Sequence, residues 1–402
     1  MPLFHNLAGL TRDLGPTFRY QPDSVLFNTP SAYQHKFGPK VNVKKGLYYD
    51  AWPLHAKALT TWNTTDIAIH TRKRRVLNYA FSNKALRSVE PFVPGEEWSG
   101  SLNMTDWTNW LVFDILGDLC FGKSSDMKKP NSSMRQAPAL MVDMLQLMHP
   151  VHWLLRLAAP PAPAKWNAFV GNCLTDRTRT EEETQRLASQ DLEFEVRKDF
   201  FRYLFHAKDP ETGKGFPIEE LWGEAESLII AGSDTTAVVM AAMLAREVLS
   251  RLASAQEIES GPALQSCSDL RVGVRRVLKG GTVVDSDFFP EGVNVQAERW
   301  IAGDTSSGAT EESVALAESA FCAFSTGTRG CPGNNLTWLE MSIVMAKIIY
   351  SFEIRRDEAS NLGGGDPSGK AGRRNVDQYQ TYDAFVSLRV GPLVQLRRRQ
   401  HS

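Results

Sequence analysis

The chain has 402 residues, with 45 Lys+Arg against 46 Asp+Glu and a formal net charge of -1. It is 42% hydrophobic and 23% charged, which allows a sizeable core and excludes general disorder. The balanced charge excludes a chain built to coat nucleic acid or an anionic membrane surface. The five cysteines are Cys120, Cys173, Cys267, Cys322 and Cys331, with no C-x-x-C spacing. That pattern disfavours a disulfide framework and a structural zinc site, and fits a reducing compartment.

In chain order, Met1 to Leu10 has a short apolar flavour but no basic start and no cleavage-like site. Thr17 to Tyr20 and Ser24 to Phe27 read as two strands, with Pro22-Asp23 as a hairpin-like break. A helical pattern covers Ile67 to Leu86, and another covers Asp106 to Leu119. Met134 to Trp153 is apolar and helix-like until the proline-rich Ala158 to Ala164 interrupts it. Asn167 to Phe205 is charged and helical. Glu219 to Leu252 is the longest helix candidate, apolar nearly all round in its second half and hence buried. Its Leu228 to Ala245 is the nearest approach to a membrane span, but Gly-Ser-Asp-Thr-Thr cuts it. Gly261 to Arg299 is loop and strand material. Asn334 to Tyr350 is a helix, Gly363 to Arg374 a loop, and Ala384 to Leu396 a terminal strand. The total is mainly helix with a minor sheet.

Chemistry concentrates in Phe324-Ser325-Thr326-Gly327-Thr328-Arg329-Gly330-Cys331-Pro332-Gly333. A lone cysteine sits in a loop tightened by glycines and a proline, just before a helix. Backbone N–H groups and the positive helix end both stabilise a thiolate, the form that ligates metal. Arg329 can pair a carboxylate in fork geometry, and Phe324 can shield the sulfur. These are the requirements of a haem held by a cysteinate, with an arginine on a propionate. The segment resembles the haem signature of the cytochrome P450 family, F-x-x-G-x-R-x-C-x-G, at every fixed position. The resemblance implies that Cys331 is the axial iron ligand, and that Phe324, Gly327, Arg329 and Gly333 help hold the haem.

Ala231-Gly232-Ser233-Asp234-Thr235-Thr236 places polar residues inside a buried helix, which needs a reason. Gly232 lets a ligand approach the backbone closely. The Thr235 hydroxyl can bond a carbonyl one turn back, and Asp234 supplies a carboxylate. The segment is similar to the family's oxygen-activation motif, which implies that Asp234 and Thr235 deliver protons and that Ala231 and Gly232 line the haem pocket. His70 and Arg74 match the family's propionate-binding pair, one helical turn apart and so on one face. The competing reading of their run, through Arg72, Lys73 and Arg75, is a basic solvated face. Further likeness to fungal members lies in Lys45-Gly46-Leu47-Tyr48-Tyr49, in Phe81 to Leu86 and in Phe289-Pro290-Glu291-Gly292.

Gln296-Ala297-Glu298-Arg299-Trp300 resembles the family's P-E-R-F/W segment, with Ala297 in place of proline. Its arginine normally joins a buried triad with an E-x-x-R helix lying between the oxygen-activation helix and Arg299. No E-x-x-R stands there. The formal matches Glu183 to Arg186 and Glu353 to Arg356 fall outside that interval. Apparent joins at Leu270 to Val277, Gly292 to Gln296 and Ala245-Arg246-Glu247 suggest internal deletions near 245–296. The membrane anchor of eukaryotic members has no counterpart. Gly364 to Ala371 nearly spells a phosphate loop, but Ala371 stands where magnesium needs Ser or Thr. Trp98, Trp107 and Trp110 read as core and interface, and Cys322 as a core thiol.

The expectation is one mainly α, cytochrome P450-like helical domain over residues 1–402, with a small β subdomain. By resemblance it implies a monooxygenase holding haem b, acting on a small apolar molecule in fungal secondary metabolism. Electrons would come from NADPH through NADPH-cytochrome P450 reductase. Pocket walls would come from Glu226 to Met240 and from Tyr382 to Phe385. No nucleic-acid partner and no transmembrane segment are expected, with a location in the cytoplasm or at the endoplasmic reticulum face. The alternative, resting on the missing E-x-x-R, is a non-catalytic relict or a wrongly spliced gene product with impaired haem binding.

Overall fold

The computed structural model describes residues 15–21, 24–27, 29–38, 44–46, 49, 59–80, 97–122, 124–129, 132–141, 162–189, 199–253, 282–284, 287–289, 303, 310–319, 321, 323–369, 373–374, 376, 379–383 and 387–400. The chain divides into two compact units: Met1–Val43 with Gly261–Cys331, and Lys44–Ser260 with Pro332–Ser402.

In the first unit, β1 (Thr17–Gln21) and β2 (Ser24–Phe27) form the antiparallel hairpin expected around Pro22-Asp23, with Phe18 opposite Leu26. Helix α1 (Pro30–Phe37) follows. Thr29 caps it by accepting from the Ala32 N–H, and proline occupies its first position, where a missing N–H costs nothing. Strands β4 (Thr282–Val284) and β5 (Asp287–Phe289) pair antiparallel. Helix α7 (Glu311–Ser319) starts with two acids that favour its positive end. Gln34 of α1 donates to the Ser319 carbonyl at 3.0 Å and so ties the two helices together.

The second unit is built on helices. These are α2 (Ile67–Ala80), α3 (Met104–Phe121), α4 (Ala162–Ala188), α5 (Phe200–His206), α6 (Ile218–Ala253) and α8 (Asn334–Ser351). Strand β9 (Leu393–Arg398) runs between β3 (Leu102–Asn103) and β6 (Phe352–Arg356) in an antiparallel sheet. A separate hairpin joins β7 (Thr381–Asp383) to β8 (Ser387–Arg389). The core lies where α3 crosses α6. Val112, Phe113 and Leu116 of α3, with Ile229, Ala237, Met240 and Ala241 of α6, are all buried. Each large apolar side chain contributes about 1.5–3 kcal/mol by leaving water. Glycine at 232 is what permits the crossing, because a Cβ there would sit 2.9 Å from a Leu116 methyl. Trp166 of α4 meets Phe113 edge-on at 6.3 Å, and its indole N–H donates to Glu226 Oε1 of α6 at 2.8 Å.

The mainly helical expectation holds, with three local differences. The stretch 167–205 is two helices, because Asp199 caps a new one by accepting from the Arg202 N–H. The proline-rich break ends inside α4, where Pro163 occupies the first turn. The expected terminal strand is interrupted between β8 and β9 by Gly391, whose φ of 68° is left-handed and ends the extended run. Ala245-Arg246-Glu247, one of the suggested joins, lies within α6. Among the described residues one stretch, Ile218–Ala245 with mean hydropathy 1.8, is long and apolar enough to cross a membrane, and it belongs to the core helix α6. Leu270 to Val277 and Gly292 to Trp300 lie outside the described residues, as do Phe81 to Leu86, Cys267 and Cys322.

On α8, the Glu340 carboxyl is 2% exposed, and its Oε1 has no hydrogen-bond partner among the described residues. Burial pushes it up to about 8 from an ordinary 4.5. Below about pH 4.5 it is neutral in both folded and unfolded chains and costs nothing. As pH rises toward 8 the unfolded chain releases this proton while the folded chain keeps it, so stability falls through that window and levels off above it. Replacing Glu340 by Gln is expected to raise the melting temperature little near pH 4 and increasingly up to pH 8. A gain that does not change with pH would contradict this assignment.

Candidate functional site

The cysteine loop is fixed by its own backbone. The Cys331 N–H donates to the Phe324 carbonyl at 2.7 Å, and the Gly330 N–H to that of Gly327 at 3.1 Å. Gly327 to Arg329 forms one 3-10 turn. Ser325 and Gly327 both take left-handed φ values, 56° and 66°. At Gly327 a Cβ would lie 2.8 Å from the Gly38 carbonyl oxygen and closer still to that of Phe37, so α1 packs where any side chain would go. Those two N–H groups are spent inside the loop rather than aimed at sulfur. Phe324 and Arg329 are half-buried, Phe324 meets Phe321 at 6.3 Å, and Cys331 is exposed. Two residues on, Gly333 is the N-cap of α8, and no side chain caps that helix. Its first-turn N–H groups therefore leave a positive end immediately after the cysteine in sequence.

On α6 the motif residues separate by face. Ala231, Thr235 and Val239, spaced by four, form an exposed line, whereas Asp234 and Ser233 are buried. The Thr235 hydroxyl donates to the Ala231 carbonyl at 2.7 Å, the back-bond expected from sequence. Gly232 faces Leu116 of α3, so its missing side chain admits a helix. Asp234 is held from the β8 end: Arg389 Nη1 donates to its Oδ1 at 2.9 Å, and Arg389 Nη2 to Asn109 Oδ1 at 2.6 Å. Glu226, expected in a pocket wall, is 1% exposed and bonded to Trp166. Tyr382 is 51% exposed, and residues 384–386 lie outside the described ones.

The basic run on α2 is not a solvated face. Lys73 is fully buried and bonds Glu220 at 2.7 Å, with Glu224 at 3.5 Å. Arg72 also reaches Glu220 at 2.7 Å, and Arg75 pairs with Asp209 and Glu211, each at 3.0 Å. Burial works against the Glu220 charge, but Lys73 and Arg72 outweigh it and keep the carboxyl below its ordinary range. Burial wins at Glu224, pushing it up to about 7 against the pull of Lys73 and Thr61. Glu220 is therefore the principal partner of Lys73. His70 is 4% exposed and Arg74 half-buried, one turn apart on this anchored helix.

Each unit thus holds part of the expected set. Phe324, Gly327, Arg329 and Cys331 lie in the first unit; His70, Arg74, Ala231, Gly232, Asp234, Thr235 and Gly333 lie in the second. Their chemistry suits a haem. An exposed thiol in a loop held by backbone bonds can serve as a soft axial ligand, and His70, Arg74 and Arg329 carry the donors that propionates take. Sequence reasoning missed Arg389 and Asn109, since neither stands in a motif. The two formal E-x-x-R matches are local pairs: Glu183 bonds Arg186 on the exposed face of α4, and Glu353 of β6 bonds Arg397 of β9. In the phosphate-loop-like segment, Asp366 accepts from the Ser368 N–H and hydroxyl, at 2.8 and 2.7 Å, within a turn.

Comparison with known proteins places these motifs in one family. The family profile described as Cytochrome P450 matches residues 47–257 and 277–362, well over half of the chain. Cytochrome P450 monooxygenase apf7 of Gibberella fujikuroi is 28% identical over 477 positions, covering 96% of this chain and 87% of that protein. Cytochrome P450 monooxygenase poxM of Penicillium oxalicum is 28% identical, covering 96% and 83%. Cytochrome P450 monooxygenase AKT7 of Alternaria alternata is 25% identical, covering 96% and 86%. The apf7 alignment is longer than the 402-residue chain, so at least 75 of its positions (477 less 402) are gaps in this sequence.

Two substitutions test this local architecture by chemical denaturation. Lys73→Met removes the buried ammonium shared by the two acids, leaving Glu220 with Arg72 and Glu224 with Thr61, and is expected to cost about 1–3 kcal/mol; no loss would show that Lys73 does not tie α2 to α6. Gly327→Ala forces a left-handed alanine, costing about 1–2 kcal/mol before the clash with the Gly38 carbonyl is added. Gly330→Ala, at φ -56° with its first contact at 3.3 Å, should lose less. Equal losses would refute the α1 contact.

Proposed function

The chain belongs to the cytochrome P450 family, and on that premise we propose that it is a haem-thiolate monooxygenase. It would insert one oxygen atom of O2 into an apolar small molecule, in fungal secondary metabolism. The observation that carries this is the complete cysteine signature, with the Cys331 thiol exposed and its backbone pinned to Phe324. Family membership implies haem iron and a redox partner. We assign haem b, with NADPH as the electron source through NADPH-cytochrome P450 reductase, acting in the cytoplasm or at the endoplasmic reticulum face.

The haem supplies oxygen activation, and thiolate ligation by Cys331 tunes it toward O–O cleavage. The remaining roles fall to the chain. His70, Arg74 and Arg329 hold propionates. Phe324 screens the sulfur from water, and Gly327 and Gly333 shape the loop around it. Thr235, on the exposed line of α6, would supply a hydroxyl, and Asp234 beside it in sequence the carboxylate for proton delivery. Ala231 keeps that line low enough for a flat group to approach, while Gly232 lets α3 close behind it. We read residues 1–402 as a single domain with internal deletions near 245–296. The gaps in the alignment with apf7 and the unmatched residues 258–276 support that reading.

One observation favours a second reading, a non-catalytic relict: both E-x-x-R matches are engaged locally, Glu183 with Arg186 on α4 and Glu353 with Arg397 of β9. A single measurement separates the two. The expressed chain, reduced and exposed to carbon monoxide, is expected to show the red-shifted Soret band of thiolate ligation, and Cys331→Ser to abolish it. Failure to retain haem would sink the monooxygenase. A band that survives Cys331→Ser would remove Cys331 as ligand.

A further inference from the structure

We propose that Arg389 is the positioning residue of Asp234, so that the β7–β8 hairpin sets where the α6 carboxylate sits. This rests on the monooxygenase reading for its consequence but not for its geometry. The Asp234 and Arg389 side chains are 5% and 3% exposed, and 2.9 Å separates Oδ1 from Nη1. The other arm of the guanidinium is fixed by Asn109 of α3 at 2.6 Å. A rigid planar fork with both arms engaged holds its acid in direction as well as distance.

The backbone behind Arg389 is also tied down. Two residues on, the Gly391 N–H donates to Asn103 Oδ1 at 3.1 Å. The Gly391 carbonyl accepts from Thr105 at 2.8 Å and from Tyr379 at 3.0 Å. The end of β8 is therefore bound to the start of α3, and Arg389 reaches from that fixed point across to α6. Asp234 and Thr235 are consecutive on α6 and point about 100° apart. Thr235 lies on the exposed line, and Asp234 is turned inward to the guanidinium. The carboxylate cannot swing to the threonine's side without stranding a buried arginine.

Two measurements test this. The first is a double-mutant cycle of Arg389→Gln and Asp234→Asn, read by chemical unfolding of the whole chain. It is expected to show a coupling of at least about 10-fold in the unfolding constant; additive effects overturn the tie. The second is the C–O stretch of the reduced carbon monoxide complex. Arg389→Gln should shift it in the same sense as Asp234→Asn, and Arg389→Lys should return it toward the parent value. A stretch moved by Asp234→Asn but untouched by Arg389→Gln overturns the positioning role. If Arg389→Gln does not fold, Arg389→Met replaces it in both. A chain that takes up no haem fails the monooxygenase reading, while the unfolding cycle still accepts or rejects the tie.

Discussion

A long apolar helix that carries buried acids dictates what packs around it. Helix α6 runs 36 residues through the second unit and bears the buried Glu224, Glu226 and Asp234 and the partly exposed Glu220. Burying a carboxylate without a partner is costly, so each draws a donor from a different element. Arg72 and Lys73 of α2 take Glu220. The Thr61 N–H and hydroxyl both reach Glu224 Oε1, at 2.7 and 3.0 Å. Trp166 of α4 takes Glu226, and Arg389 at the end of β8 takes Asp234. Apolar burial supplies most of the stability, but it is non-directional. The acids give it direction, since each carboxylate is met by donors from a particular neighbour and so fixes that neighbour. Arg177 does the same between α4 and α5, buried against Asp199 at 2.9 Å and Glu181 at 3.0 Å.

This pattern explains which parts of the molecule the sequence disclosed. The two P450 motifs and the helices around them could be read because their determinants are local: glycines and a proline around Cys331, a Thr235 back-bond within one turn, apolar spacing along α3 and α6. Partners distant in sequence left no such trace. Arg389 is 155 residues from Asp234, and Lys73 is 147 from Glu220. Seen alone, Arg72 to Arg75 looks like a solvated basic run, because nothing nearby in the sequence shows the acids waiting on α6. The same blindness hid the Trp166 bond of Glu226 and the partners of Trp98, which the sequence marked only as core and interface. That ring lies between Arg355 and Arg397, at 4.2 and 4.8 Å from its centre.

Glycine shows the same division between local and distant causes. Gly232 and Gly327 both stand in family motifs, and the sequence suggested a ligand's close approach at Gly232. In the fold each admits a neighbouring piece of the chain: α3 at Gly232, the end of α1 at Gly327. The motif spacing was legible, but the object filling the space was not, because a missing Cβ records only that something comes near.

The supports of α6 and those of the cysteine loop are of different kinds. The described partners of the acids on α6 lie within the second unit, on α2, on α4, at Thr61 and at the end of β8. The cysteine loop belongs to the other unit, where its described supports are backbone bonds and the fit of Gly327 against α1. The described supports of α6 and those of the cysteine loop share no residue: buried acids and their distant donors on one hand, local backbone bonds and a missing Cβ on the other. A substitution in one set therefore leaves the bonds of the other as they are, and the two can be weakened separately.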